Sequence, residues 1–438
     1  MKVAFRAEAS AAIGTGHVMR CGVLAEALRE RGAEIVDAPH ASVDWLVVDH
    51  YDLDASWERE ARNSAARILA IDDLGRAHDC DVLLDQNYFR DPWSRYEGRI
   101  PPRARRLLGP RYALLRPDFA AAPRRPRDGT VRTVLVSFGG VDAANDTAKA
   151  IHAIRTVGNL NADIVLGEAN PHGREIASLC GDDPAFRIHR AAKNMAELMH
   201  GADLAIGAGG TTTWERCCLG LPTLQLVVAP NQDAPTRALA ADGFVFHAKD
   251  LTAAVLAAVI AKPAELARQS RAVMSLVDGD GRRRVAAAMM AGAGTKFSLR
   301  EARAEDIHLY FAWANDPEVR QQSFRAEAIS WREHEAWFAQ RLAEAVLLIA
   351  LDEAGVPLGQ VRFERAEGRW ILHYSVAPEF RGVGLGAKML AAAIAALRGR
   401  HPGARLRGAI KPGNTASLRV FSALGFKEVS QSVFELDP

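Results

Sequence analysis

Three short runs of this chain are apolar almost from end to end and stop on an acid: Trp45-Leu46-Val47-Val48-Asp49, Ile68-Leu69-Ala70-Ile71-Asp72 and Val82-Leu83-Leu84-Asp85. A strand with one wet face alternates apolar and polar residues, whereas a continuous apolar run is buried on both faces. Helical patterns separate these runs, so they predict a parallel sheet covered by helices on both sides. Ligands of such sheets bind beyond the carboxyl ends of the strands. That rule gathers Asp49, Asp72 and Asp85 along one edge, together with whatever follows the first strand, Val3-Ala4-Phe5. Each acid can equally cap the helix that comes after it.

A second set of the same kind begins after the Pro- and Arg-rich stretch Ala120–Gly129, which reads as a linker. Its strands are Val134-Leu135-Val136-Ser137-Phe138, running into Gly139-Gly140, then Ile164-Val165-Leu166, Leu204-Ala205-Ile206 and Thr223–Val228. Two similar doubly wound domains in tandem leave a cleft between them. Residues 264–290 read as helical, and a second short linker follows. Beyond it the texture changes: Val346–Ala350, Val356–Phe363 and Trp370–Val376 are successive strand candidates, which implies an antiparallel meander and a separate fold. The expected division is residues 1–122 and 123–290 as the α/β pair, 291–296 as linker and 297–438 as an α+β domain.

At 438 residues the chain suits two or three domains. A formal net charge of +2 gives no electrostatic case for nucleic acid. The clusters Arg103-Ala104-Arg105-Arg106 and Arg124-Arg125-Pro126-Arg127 are short, and read as solvated loop or linker. Five cysteines, odd in number and scattered, argue against a disulfide framework and show no zinc spacing. Met1 leads into a strand without a basic, apolar leader, and no apolar run reaches the ~18 residues of a membrane span. The expectation is a cytoplasmic protein with neither membrane nor nucleic acid as partner.

Two glycine-containing corners carry the chemistry. In the first, Ile13-Gly14-Thr15-Gly16-His17 joins the first strand to a helix with Cys21, Leu24, Ala25 and Leu28 on one face. Helix amides at such a corner attract anions, and Gly14 and Gly16 let the backbone come close. The positive end of a helix disfavours imidazolium, so His17 either accepts a proton as a neutral base or merely caps the helix. The second corner is Leu204-Ala205-Ile206-Gly207-Ala208-Gly209-Gly210-Thr211-Thr212-Thr213-Trp214-Glu215. Gly209 and Gly210 permit approach of a diphosphate, Thr211 and Thr212 add hydroxyls, and Glu215 either accepts the hydroxyls of a ribose or complements the helix dipole. A phosphate loop late in the second domain, with glycine and histidine opposite, is the layout of GT-B nucleotide-sugar enzymes.

In these stretches the first ~290 residues resemble the UDP-sugar hydrolases of pseudaminic acid biosynthesis. The matching segments also include Val48-Asp49-His50-Tyr51, Ile71-Asp72-Asp73-Leu74, Leu108–Pro117, Phe138-Gly139-Gly140, Leu219-Gly220-Leu221-Pro222 and Asn231-Gln232. The resemblance implies hydrolysis of the anomeric C–O bond of a UDP-activated amino sugar, with His17 as the general base. It places the UDP-sugar on Gly14, Gly16, Gly139, Gly140, Gly209, Gly210, Thr211, Thr212, Glu215, Asn231 and Gln232, with no metal expected.

The last third carries Val376-Ala377-Pro378-Glu379-Phe380-Arg381-Gly382-Val383-Gly384-Leu385-Gly386 at the end of a strand, opening a helix. Its glycines and first-turn amides suit a pyrophosphate. This run, with the helix that starts at Asn414, resembles the acetyl-CoA signature of GNAT-type N-acetyltransferases. That resemblance implies acetyl-CoA held by Val376, Arg381, Gly382, Val383, Gly384, Leu385, Gly386 and Asn414, with its pantetheine arm on a strand edge near Tyr374–Val376. Phe421 stands where many members have the tyrosine that protonates the leaving thiolate. Tyr374 is either a substitute acid or structural.

Joined in one chain, the resemblances imply consecutive steps: acetylation of the 4-amine of a UDP-4-amino sugar, then removal of UDP from the diacetamido product. The rivals are a GT-B glycosyltransferase fused to an acetyltransferase, a nucleotide-sugar-binding regulator, and the same chemistries on a related sugar.

Overall fold

The structure, a computed structural model, describes residues 1–7, 16–37, 42–292 and 294–438. It divides into two compact units, Met1–Ala286 and Ala287–Pro438.

The first unit holds two parallel six-stranded sheets. One contains β1 (Lys2–Ala7), β2 (Glu34–Ile35), β3 (Val43–Asp49), β4 (Ala65–Ile71), β5 (Val82–Asp85) and β6 (Arg105–Leu108), in the order β2-β1-β3-β4-β5-β6. The other contains β7 (Thr133–Ser137), β8 (Asn161–Leu166), β9 (Phe186–Arg190), β10 (Leu204–Ala208), β11 (Thr223–Leu226) and β12 (Phe246–His247), ordered β12-β11-β10-β7-β8-β9. The apolar runs that predicted these sheets form their middles: Val47, Leu69, Leu83 and Leu84 are fully buried, as are Val134, Ile164 and Ile206. In each sheet the chain works outward in one direction and then restarts on the other side. The reversals fall between β1 and β3 and between β7 and β10, and each opens a crevice at the carboxyl ends of its strands.

Two of the expected solvated stretches are not solvated loop. Arg105 and Arg106 lie in β6, an edge strand whose half-exposed surface accommodates them. Arg127 is 3% exposed, and its guanidinium donates to the carbonyls of Met199 at 2.7 Å and Ala202 at 3.2 Å, and to that of Leu219. Burial, with Arg125 adding repulsion, pushes its pKa down to about 10. These carbonyls replace the water that a linker arginine would have kept.

The second unit is one seven-stranded sheet: β13 (Phe297–Glu301), β14 (Val346–Asp352), β15 (Pro357–Ala366), β16 (Arg369–Val376), β17 (Leu406–Ala409), β18 (Lys427–Ser430) and β19 (Val433–Leu436), ordered β13-β14-β15-β16-β17-β19-β18. The meander from β13 to β16 is antiparallel, as the succession of strand candidates predicts. The pair β16–β17 is parallel and short, registering only Trp370 with Leu406 and Ile371 with Arg407. Past Ile371 the strands part. The helix Leu385–Arg400 buries Leu390, Ala393, Ile394 and Leu397 against Val361, Phe363 and Leu372. Tyr310, Trp313 and Phe338 pack with Leu347 and Ile349 in a separate cluster. The chain is thus a mixed α/β protein with two parallel sheets ahead of a mixed one. Among the described residues no helix is long and apolar enough to cross a membrane.

Candidate functional site

A cavity of about 820 Å³ lies in the first unit, lined by residues from both of its sheets. Every wall comes from the carboxyl end of a strand: Gly16 and His17 after β1, Tyr51 after β3, Asp73 after β4, Gly139 and Gly140 after β7, Gly209–Thr212 after β10 and Val227–Ala229 after β11. Gly14 lies outside the described residues.

His17 is the second residue of the helix Gly16–Arg29 and is 5% exposed. Its Nδ1 lies 3.1 Å from the Asp49 carbonyl oxygen and 3.1 Å from Asp49 Oδ1. Both oxygens can only accept, so Nδ1 carries the hydrogen and the lone pair of the neutral ring is on Nε2. His17 thus lies inside the first helical turn with Nδ1 engaged by Asp49. The Tyr51 ring meets the imidazole edge-on at 4.7 Å, and the Tyr51 hydroxyl donates to Asp73 Oδ2 at 3.0 Å.

Asp49 is fully buried and does not cap a helix. Arg20, 5% exposed, donates to both of its oxygens, Nε to Oδ2 at 2.6 Å and Nη2 to Oδ1 at 2.5 Å. Burial works against the Arg20 charge, but the Asp49 carboxylate outweighs it and holds the pKa above the usual arginine value. Asp72 and Asp85 are also buried, and they hold turns rather than helices. Asp72 accepts from the amides of Gly75 and Arg76, Asp85 from that of Asn87, and the Tyr96 hydroxyl lies between the two carboxylates. Burial lifts the Asp85 pKa to about 6 despite that amide and Arg95. Nothing in the sequence separates these roles, because an acid ending a strand looks the same in all three.

Across the cavity, the helix Thr212–Cys218 starts one residue after Thr211. Among the described residues, the amides of Gly210, Thr211 and Thr212 have no protein acceptor. The Gly209 amide is already taken, by the Leu226 carbonyl at 3.1 Å and Gln232 Oε1 at 3.2 Å, and Gln232 also accepts from the Val228 amide at 3.1 Å. Gln232 is therefore a strut of the loop, and the amides open to a ligand begin at Gly210. A Cβ on Gly209 would lie 2.6 Å from Thr236 Oγ1, and one on Gly207 2.4 Å from the Ser137 carbonyl oxygen. The buried Arg216 braces the loop from below by donating to the Ala208 carbonyl at 2.8 Å.

The two walls touch. A Cβ on Gly16 would be 3.7 Å from Thr211 Oγ1, and Asn231 Nδ2 donates to the Tyr51 hydroxyl at 3.2 Å. Glu215 lines the cavity in the first turn of its helix; burial lifts its pKa to about 7 against the pull of Arg116 and Arg216. Gly139, with φ of 80°, and Gly140 form the turn after β7. Among the described residues no group of three or more His, Cys, Asp and Glu side chains is placed to hold a metal ion.

In the second unit, Val376 ends β16 and the helix Leu385–Arg400 starts after Gly384. Gly382 and Gly384 have φ of 77° and 81°. Among the described residues the amides from Gly382 to Gly386 have no protein acceptor. Together with the opened edge of β16, this row of donors fits a pyrophosphate and an extended amide-bearing arm. A Cβ on Gly386 would lie 3.5 Å from Val376 Cγ2, so the first turn sits close against the strand.

Two residues expected at this site have other duties. The Arg381 guanidinium donates to the Val376 carbonyl at 3.2 Å, Asp316 at 2.7 Å and Glu318 at 2.8 Å. It ties the loop to the helix Pro317–Gln322, a connection that the sequence hides across more than sixty positions. Asn414 accepts from the Ser417 amide at 3.0 Å and so caps the helix Thr415–Ala423. Phe421 is 3% exposed and stacks on Phe426 at 4.3 Å, and the Tyr374 hydroxyl donates to Ser417 Oγ at 3.2 Å.

Comparison with known proteins agrees with this division. Residues 296–427 match the acetyltransferase (GNAT) domain family. A Campylobacter jejuni protein named UDP-2,4-diacetamido-2,4,6-trideoxy-β-L-altropyranose hydrolase is 24% identical over 272 residues, 56% of this chain and 98% of its own. The Bacillus subtilis spore coat polysaccharide biosynthesis protein SpsG is 27% identical over 268 residues, 52% of this chain and 78% of its own. An uncharacterized protein of Methanocaldococcus jannaschii is 21% identical over 403 residues, covering 81% of both chains. The chain thus carries a C-terminal GNAT acetyltransferase domain behind a portion homologous to a named UDP-sugar hydrolase.

Proposed function

We propose that the chain is a bifunctional nucleotide-sugar enzyme. Its second unit N-acetylates the 4-amine of a UDP-4-amino-4,6-dideoxy sugar from acetyl-CoA, and its first unit hydrolyses the resulting UDP-2,4-diacetamido sugar to free sugar and UDP. The observation that carries the hydrolase half is the pairing of His17, with its lone pair on Nε2, and the open amides of Gly210–Thr212 on opposite walls of one cavity.

Such a cavity suits a GT-B-like division of labour. The diphosphate rests on the Gly210–Thr212 amides, which stabilise charge building on the leaving UDP oxygen. Glu215 accepts the ribose hydroxyls. His17 Nε2 takes a proton from water as that water attacks the anomeric carbon, and the C–O bond to UDP breaks. Gly16 lets the His17 wall approach Thr211, and the sugar lies beside His17.

In the second unit the amides of Gly382–Gly386 hold the pyrophosphate of acetyl-CoA, and β16 beyond Ile371 offers its backbone to the pantetheine arm. The 4-amine attacks the thioester carbonyl, its proton leaves, and the C–S bond breaks to give the acetamide and CoA. Phe421 has no hydroxyl to protonate the departing thiolate. Tyr374, its hydroxyl shared with Ser417, is the phenol that this strand carries.

The test supplies the UDP-4-amino sugar with acetyl-CoA and follows products by mass. The expected products are free diacetamido sugar, UDP and CoA, with water as the sole acceptor. An acetylated UDP-sugar that persists would remove the hydrolase half, and a sugar released only with an added acceptor would make the first unit a glycosyltransferase.

A further inference from the structure

We propose that Asp49 is a positioning residue for His17, and that Arg20 holds Asp49 in place from behind; this rests on the hydrolase reading above. The geometry is a buried relay of fixed partners. Asp49 Oδ1 and the Asp49 carbonyl oxygen each lie 3.1 Å from His17 Nδ1. Arg20 grips both carboxylate oxygens, at 2.6 and 2.5 Å, and its Nη1 lies 3.7 Å from Asp73 Oδ2. Cys21 Sγ donates to Asp49 Oδ2 at 3.6 Å.

The Asp49 carbonyl accepts from Nδ1–H and so selects that tautomer. The carboxylate oxygen 3.1 Å from the same nitrogen reinforces it and stabilises the positive charge that the ring gains when Nε2 takes a proton. A carboxylate buried for this purpose needs its own counterion, and Arg20 supplies it from the next turn of the same helix. The placement follows from topology: β1 and β3 are neighbours at the reversal of the first sheet, so the end of β3 lies under the helix that leaves β1. The groups facing His17 are then Asp49 and Tyr51 from β3 and its following turn, with Arg20 and Asp73 behind them.

The test uses the full chain. The probe substrate is UDP-2,4-diacetamido-2,4,6-trideoxy-β-L-altropyranose, and the second readout is the ¹⁵N signature of the His17 imidazole, assigned by its loss in His17→Gln. Asp49→Asn should lower kcat about 10²-fold with KM little changed, within the range that a misplaced general base loses. It should also move the His17 signal away from the Nδ1–H tautomer. Since Asp49→Asn leaves Arg20 buried without its partner, the double variant Asp49→Asn/Arg20→Gln offers a neutral pair of similar shape and should show the same two changes. Unchanged kcat with an unchanged imidazole signal in either folded variant would overturn the proposal and leave the Asp49 carbonyl as sufficient. The hydrolase reading fails separately, if the wild-type chain and His17→Gln release UDP from the probe at the same rate.

Discussion

Two of the chain's strand–glycine–helix corners, one in each unit, use their glycines for different reasons. At the end of β10 and just past it they make way for neighbours: a Cβ on Gly207 or Gly209 would strike Ser137 or Thr236, while neither backbone has positive φ. After β16 the space beside Gly382 and Gly384 is open, and it is their left-handed backbone, at φ of 77° and 81°, that disfavours most other residues. In sequence the two runs look alike. In the first the constraint is packing at a sheet reversal; in the second it is the turn itself.

That difference can be broken by substitution. Gly207→Ala places its Cβ 2.4 Å from a backbone oxygen that cannot swing away, and should cost about 3 kcal/mol of stability in the first unit. UDP affinity measured by calorimetry should fall more than tenfold, with acetyl-CoA affinity unchanged. Gly207→Asn should be worse than Gly207→Ala. Gly384→Ala should weaken acetyl-CoA and spare UDP, at about 1 kcal/mol of backbone strain. Here the order reverses, because asparagine tolerates the left-handed region, so Gly384→Asn should be milder than Gly384→Ala. If either alanine weakened both ligands, or if asparagine ranked the same way at both positions, the two glycine turns would not differ as described.

The smallest expected effect concerns Glu215. Burial lifts its pKa to about 7, so the native state keeps a proton that the unfolded chain releases near the ordinary value. Stability contributed by the neutral form is present at low pH and declines as pH rises through that window. UDP binding should move the other way, since ribose hydroxyls donate to the ionised carboxylate. Calorimetry between pH 6 and 8 should show UDP affinity rising in the wild type and nearly flat in Glu215→Gln; equal slopes would leave Glu215 without a part in binding.

How much of this was legible in the sequence depends on whether a residue's neighbours are local. The central strands announced themselves because burial on both faces demands unbroken apolar runs. The edge strands β6 and β9 did not, since Arg105-Arg106 and Phe186-Arg187-Ile188-His189-Arg190 carry the polar residues that a half-exposed edge tolerates. The glycine turns were visible, but the Gly209 amide is occupied by Gln232, twenty-three residues later. Asp49 was visible only as an acid at the end of a strand. Its link to Arg20 and His17 depends on β1 and β3 lying side by side, which spacing along the chain does not encode. Arg381 carries the same lesson, with its partners Asp316 and Glu318 far upstream.

The central claim is that His17 is the base of a hydrolysis for which UDP is bound on the opposite wall. Its most direct test measures UDP release from the diacetamido UDP-sugar by the wild type and by His17→Ala, alongside UDP affinity of both. The expected result is a rate lower by about 10²–10⁴-fold with UDP affinity within a few-fold of wild type. Hydrolysis at an undiminished rate in His17→Ala would contradict it.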